Sequence, residues 1–202
     1  MKNELKLPRL MHDSSTKDGK AETIMDYVLS WCLRFAESKY STAKPVLTKY
    51  CRFILGQLID KKITDETNVV SVEVWKGWQY IDLTVEVIID NNGIEEKHAI
   101  LIENKYYTRL RENQLVRYKN AFLDNYKETD EWNKHYILIS CLDSHEEVEE
   151  VYGEDLKSAG FTAFSFDQLI NPECWLDDKK KYMPTESDIF NEFWFCWGDA
   201  NY

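Results

Sequence analysis

Asp82, Glu103 and Lys105 are the residues of this chain best able to do chemistry together. Two carboxylates are hard oxygen ligands. With water and one backbone carbonyl they suit magnesium, manganese or calcium, and no His or Cys lies nearby to favour zinc. A lysine two positions after the glutamate can contact a phosphate oxygen, or hold an attacking water and help deprotonate it. A divalent ion at such a place acidifies water and offsets the charge that builds up in phosphodiester hydrolysis. Gln114, on the following predicted helix, can orient the water or the lysine. These are the components of a metal-dependent phosphodiesterase.

Whether they meet depends on a hairpin running from Tyr80 to Tyr107. Ile81, Leu83, Val85, Val87 and Ile89 alternate with Asp82, Thr84, Glu86 and Ile88, as a strand requires. Asp90-Asn91-Asn92-Gly93 supplies the turn, and Asn-Gly is the strongest short-range signal for a two-residue type I′ connection. With Asn92 and Gly93 central, Asn91 faces Ile94, Asp82 faces Glu103 and Tyr80 faces Lys105. Period two then puts Asp82, Glu103 and Lys105 on one face, with opposed Cβ atoms roughly 5 Å apart. A three-residue loop would reverse the parity and send the two carboxylates to opposite faces. The competing reading of the triplet is a solvated polar face with an ion pair contributing about 0–1 kcal/mol. Against it, charge capping two otherwise apolar strands is costly unless paired or used.

The remaining elements must hold this hairpin in place. Residues 1–18 are polar and mixed and read as a loosely held arm. The spacing of Ile24, Val28, Trp31, Cys32 and Phe35 predicts an amphipathic helix from Gly19 to about Tyr40, with Glu22 near its start. Pro45 suits a first helical position, and Leu47, Tyr50, Cys51, Ile54, Leu55 and Leu58 form the buried side of a second helix. After a polar connection, Val69 to Trp75 alternates as a strand, with Val70, Val72 and Val74 on one face. Downstream of Lys105, Leu115, Tyr118 and Phe122 mark a helix from about Leu110 to Lys127. His135 to Leu142 is an apolar run of strand length. Ser144-His145-Glu146-Glu147 has capping-box spacing and opens a helix through Ser158 that stops at Gly160. Phe161 to Phe166 is a further strand, and strand, helix, strand at that spacing predicts a right-handed parallel crossover. Asn171 to Lys181 reads as loop. A last helix begins near Thr185, with Ile189, Phe190, Phe193, Trp194 and Trp197 on one side and Trp175 nearby in the core.

At 202 residues, with 44% hydrophobic and 14% aromatic side chains, the chain is sized for a single domain over residues 1–202. No apolar run approaches a membrane span, and the first twenty residues lack a signal peptide's apolar stretch. The five cysteines are widely spaced, without a Cys-x-x-Cys pair, and point to buried thiols in a reducing cytoplasm. A net charge of −11 argues against broad, non-specific binding to polyanions. Within that acidic whole, Lys105, Arg109, Arg111, Arg117 and Lys119 cluster with only Glu112 among them. Such a stretch suits a nucleic-acid backbone, or equally a solvated helix face. Tyr106 and Tyr107 could stack on a base, although packing over the sheet edge is the commoner use. His12, His98, His135 and His145 are scattered, with no neighbours that suggest a triad.

The order helix with Glu22, strand, strand with Asp82, strand ending Glu103-Asn104-Lys105, helix with Gln114, strand resembles the PD-(D/E)xK nuclease superfamily. The similarity is closest to a compact bacterial branch in which an Ile-Glu-Asn-Lys strand is followed by Gln-Leu-x-Arg-Tyr. Here those are Ile102 to Lys105 and Gln114 to Tyr118. It covers roughly residues 19–142; from 143 on, a C-terminal elaboration has only compatible secondary structure. The resemblance implies an α/β fold, a mixed central sheet with an αβββαβ restriction-endonuclease-like core flanked by helices. It also implies Mg²⁺ or Mn²⁺ held by Asp82, Glu103 and the carbonyl of Asn104, with Lys105 assisting the nucleophile and Gln114 supporting it. Glu22 corresponds to the family's first-helix glutamate by position alone. The proline that names the motif is absent, since Ile81 precedes Asp82. The activity expected is metal-dependent hydrolysis of nucleic acid, DNA before RNA, with no membrane partner and a homodimer left open. The other reading is a catalytically silent module on the same fold that binds nucleic acid or protein.

Overall fold

The computed structural model describes residues 21–91, 93–127, 131–142, 144–170 and 183–197. Its centre is a five-stranded sheet in the order β1-β2-β3-β4-β5. The strands are Asn68–Lys76 (β1), Leu83–Asn91 (β2), Ile94–Lys105 (β3), Trp132–Ser140 (β4) and Thr162–Ser165 (β5). β1, β2 and β3 are antiparallel neighbours, whereas β4 runs parallel to both β3 and β5. The sheet is therefore mixed, as the sequence led one to expect.

Helices cover both faces. On one lie α1 (Ala21–Arg34), α2 (Pro45–Leu58), α5 (Phe166–Ile170) and α6 (Asp188–Phe190, continued by π-helical turns over Asn191–Trp197). Met25, Leu33, Tyr50, Leu55 and Trp194 pack there against Val85, Val87, Ile100, Ile102 and Ile139. On the other lie α3 (Gln114–Asn125) and α4 (His145–Ala159), whose Leu115, Phe122, Tyr152 and Leu156 meet Ala99, Leu101 and Leu138. β3 is thus buried on both sides, which explains its continuous apolar run from Ala99 to Ile102. Ile100, Leu101 and Ile102 each contribute about 1.5–3 kcal/mol by leaving water. That apolar stretch fixes the polar end of the same strand, Glu103-Asn104-Lys105, which is buried as well.

The local signals held at several ends. Asn91 pairs with Ile94 across the turn, and Gly93 takes the left-handed φ of 85° that the Asn-Gly connection requires. The Ser144 hydroxyl accepts from the Glu147 backbone N–H at 3.2 Å, and Gly160 closes α4 at φ 67°. Pro45 opens α2, whose first free N–H groups, those of Val46 and Leu47, donate to the Glu186 carboxylate at 3.1 and 2.9 Å. β4, α4 and β5 form the predicted parallel crossover.

Other expectations are corrected. α1 ends at Arg34 rather than near Tyr40, because Glu37 is extended before a separate 3-10 turn at Ser38–Tyr40. A bulge between Val69 and Ser71 breaks the alternation of β1, so Val69 and Val72 are buried while Val70 is exposed. β2 starts at Leu83, not Tyr80: Gln79 and Tyr80 both have positive φ, and the parity is lost before the ladder begins. Ile81 accordingly joins the core under α3, not the one containing Leu83 and Val85. α3 begins at Gln114, since Asn113 is left-handed. Ile189 is exposed, and Phe195 is buried in its stead. Cys32 and Cys51 are buried thiols, but Cys141 is only half-buried. The arm over 1–18, the loop over 171–181 and the side chain of Trp197 lie outside the described residues. Among those described, no helix is long and apolar enough to cross a membrane.

Candidate active site

The polar end of β3 opens into a cleft of about 860 Å³ lined by Glu22, Asp82, Glu103, Lys105, Gln114 and the three arginines 109, 111 and 117. Leu83 pairs with Ile102, so one further step brings Asp82 level with Glu103. Asp82 has left the ladder, and its side chain takes over a ladder bond: Oδ2 accepts from the Asn104 backbone N–H at 2.9 Å. Lys105 Nζ lies 2.7 Å from Glu103 Oε1, and the Gln114 side-chain amide donates to the same oxygen. Gln114 is itself held, its Oε1 accepting from the Arg111 backbone N–H at 3.0 Å. The two carboxylates, the lysine and the glutamine are brought together. Gln114 steadies the glutamate rather than the lysine.

Glu22 reaches the same cleft from α1, accepting from the Tyr106 backbone N–H at 3.3 Å and from the Thr108 hydroxyl. Asn104 presents its side chain to the opposite face. Its N–H points toward Asp82, and in a strand the carbonyl of the same residue shares that edge. The next carbonyl, that of Lys105, turns the other way and accepts from Cys141 N at 3.2 Å. The Asn104 carbonyl therefore faces the side where β2 has already ended.

Burial governs the electrostatics. It pushes Glu103 up to about 8, with the Asp82 charge adding to it and Lys105 opposing. It pushes Asp82 up to about 6, with Asp26 and Glu22 adding and the Asn104 N–H and Lys105 opposing. Burial alone would lower the Lys105 ammonium, but the Glu103 charge beside it raises it overall. Left to themselves, the two carboxyls hold a proton between them near neutral pH. Glu103 is 2% exposed, and its Oε2 is buried without a hydrogen-bond partner.

That orphaned oxygen, next to a second carboxylate and a carbonyl on the same edge, is a donor set fit for a hard divalent cation. Among the described residues, no group of three or more His, Cys, Asp or Glu is placed to hold a metal. Two carboxylates with a carbonyl leave several positions to water, which is how magnesium is usually held.

The sequence missed Asp26. It is buried on α1, accepts from the Asn104 side-chain amide at 2.8 Å and pairs with Lys76. Asp26 follows Glu22 by one helical turn, but that spacing alone does not set it apart from any other acid on the helix. Lys119 does not belong to the basic cluster: its ammonium donates to the Ala159 carbonyl at 2.7 Å and lies over the Tyr136 ring. Tyr106 packs on the core as expected, whereas Tyr107 is exposed. Two of the scattered histidines meet, His98 Nδ1 lying 3.1 Å from His135 Nε2.

A mixed sheet in this order, with carboxylates and a lysine at the end of its central strand, is a nuclease-like α/β fold. The chain matches the PD-(D/E)XK nuclease superfamily over residues 12–188, most of its length, and belongs to that family. The match runs well past residue 142, where the resemblance read from motifs stopped. No curated protein and no solved structure matches the chain.

Proposed function

We propose that this chain is a metal-dependent nuclease that hydrolyses DNA phosphodiester bonds. The observation that carries the reading is Glu103, a buried carboxylate with an unpartnered oxygen, set beside Asp82 and Lys105 in an open cleft. Asp82, Glu103 and the Asn104 carbonyl would hold Mg²⁺ or Mn²⁺. When bound there, such an ion acidifies water and offsets charge on the phosphate.

The chain's own groups do the rest. Lys105 places an ammonium where it can orient water and neutralise a phosphate oxygen. Gln114 fixes the Glu103 carboxylate by donating to its Oε1, which leaves the second oxygen without a protein partner. Glu22 ties the loop after β3 to α1 and keeps the cleft's floor in place. Arg109, Arg111 and Arg117 line the cleft and make no ion pair among the described residues, in a chain of net charge −11. Unpaired guanidinium groups in an acidic protein support a nucleic-acid phosphate backbone as the partner.

The test is cleavage of plasmid and of single-stranded DNA in Mg²⁺ or Mn²⁺ and then in EDTA, beside Lys105→Ala and Asp82→Ala. Metal-dependent cutting lost in both variants is the expected result. Binding without cutting under every condition would leave the silent module.

A further inference from the structure

A second hollow lies on the same side of the sheet as the cleft. It measures about 130 Å³ and is lined by Trp75, Trp78, Thr84, Glu86, Asn125 and Tyr126. Its walls are two indoles and a phenol. Thr84 is 5% exposed, and its hydroxyl is buried with no hydrogen-bond partner. Buried polar atoms of that kind are rare in native folds and call for a reason. Glu86 accepts from the Tyr126 hydroxyl at 2.7 Å through one oxygen, and the other has no partner among the described residues.

Position links the hollow to the cleft. Asp82 stands just before β2, and Thr84 and Glu86, on the face of that strand turned toward α3, follow it by two and four residues, which caps their distance along the chain at about 7 and 14 Å. The segment between β1 and β2 borders both spaces: Gly77, Gln79 and Tyr80 line the cleft, and Trp78 lines the hollow. Gln79 and Tyr80 are both left-handed, at φ 52° and 67°, and Tyr80 is 85% exposed at the cleft's lip. Two successive non-glycine residues in that region are strained, and such strain gathers at ligand clamps.

We propose that the hollow receives an unpaired nucleobase next to the scissile phosphate and favours bases that carry an exocyclic amine. This rests on the nuclease reading above. Aromatic walls accept the face of any base. The free Glu86 oxygen accepts from the amine of cytosine or adenine, whereas thymine and uracil present a carbonyl that it repels. The Thr84 hydroxyl, able to donate or accept, supplies a further contact to the ring edge. A base can enter only when it is out of the stack, so the substrate class is single-stranded or frayed nucleic acid.

The experiment maps cutting in Mn²⁺ along labelled dT strands in which one position is replaced by dC or dA. Cleavage is expected to concentrate beside the replaced base, about tenfold over the other bonds, as one stacked and hydrogen-bonded base would give. Trp75→Ala, at a half-exposed site, should lose most of that enhancement. Glu86→Gln should cut dT bonds as readily as the others. Thr84→Val removes a hydroxyl that has no partner, so it should melt no lower than the wild type and still lose selectivity. Even cutting along every strand, or selectivity unchanged in Thr84→Val and Glu86→Gln, would overturn the base pocket and leave the nuclease reading standing. No cutting of any strand would overturn both.

Discussion

Asp26, on the first helix, accepts a hydrogen bond at 2.8 Å from the side chain of Asn104 at the end of β3. Asn104 in turn gives its backbone N–H to Asp82, so one residue ties α1 to a carboxylate of the cleft. Asp26→Ala would leave the Asn104 amide and the Lys76 ammonium without an acceptor. A buried orphan costs about 1–3 kcal/mol, and a lower urea midpoint at unchanged slope should report it. Asp26→Asn keeps an acceptor for Asn104 and should recover part of the loss. An Asp26→Ala protein as stable as its parent would show that the tie carries no weight.

Lys105→Ala removes the ammonium beside Glu103. In the proposed reaction, a positioned group of this kind contributes about 10²–10⁴-fold, and the cleavage rate should fall by that much. Folding should suffer far less. With its pKa already near 8, Glu103 can take up a proton instead of standing as a bare buried charge. Melting curves taken beside the rates separate the two effects. Equal losses in rate and in the folded fraction would mean that Lys105 only holds the strand end together.

Magnesium and pH should act against one another on stability. A carboxyl whose pKa rises on folding binds its proton more tightly in the native state, so its contribution is complete below its unfolded value and is lost as pH climbs through the folded one. For Glu103 that window runs from 4.5 to about 8, and for Asp82 from 3.8 to about 6. In EDTA the melting temperature should therefore fall across it. A divalent cation needs both groups ionised, so Mg²⁺ should stabilise most at the alkaline end and release protons on binding at neutral pH. Titration calorimetry in two buffers of different ionisation enthalpy counts those protons. Binding with none released would show that the carboxylates are not the ligands.

Much of this was legible in the residues. The Asn-Gly turn fixed the parity of the hairpin, and from it came the approach of Asp82 to Glu103. The capping serine at 144 and Gly160 marked both ends of α4. What failed did so where backbone conformation departs from its regular period. The bulge at Val69–Ser71 and the left-handed pair Gln79-Tyr80 each shift parity by a step that no hydrophobic pattern announces. Asp26 was missed for a different cause: a buried acid on an amphipathic helix is visible only once its partners, Asn104 and Lys76, are known from the tertiary contacts. Lys119 failed in the same way, its charge being engaged by a helix end far along the chain.

The two paired histidines should make the protein sensitive to acid. His98 and His135 stack with their rings 5.3 Å apart and share a contact at 3.1 Å on the face of the sheet away from the cleft. Burial lowers His135 to about 4, the neighbouring His98 adds to the effect, and Asp60 opposes it. His98 is lowered too, by burial first and then by Lys61, against the pull of Glu96. A base whose pKa falls on folding is protonated first in the unfolded chain. Its stabilising contribution is present above 6.5 and disappears as pH drops toward 4. Replacing His135 by Phe should remove its share of that acid-side loss, leaving the opposite slope of the two carboxyls over the interval. Subtracting the variant's curve from the wild type's isolates the pair, because Asp82 and Glu103 titrate alike in both proteins. A difference curve without slope between those limits would mean that the rings are already charged, or solvated, in the folded state.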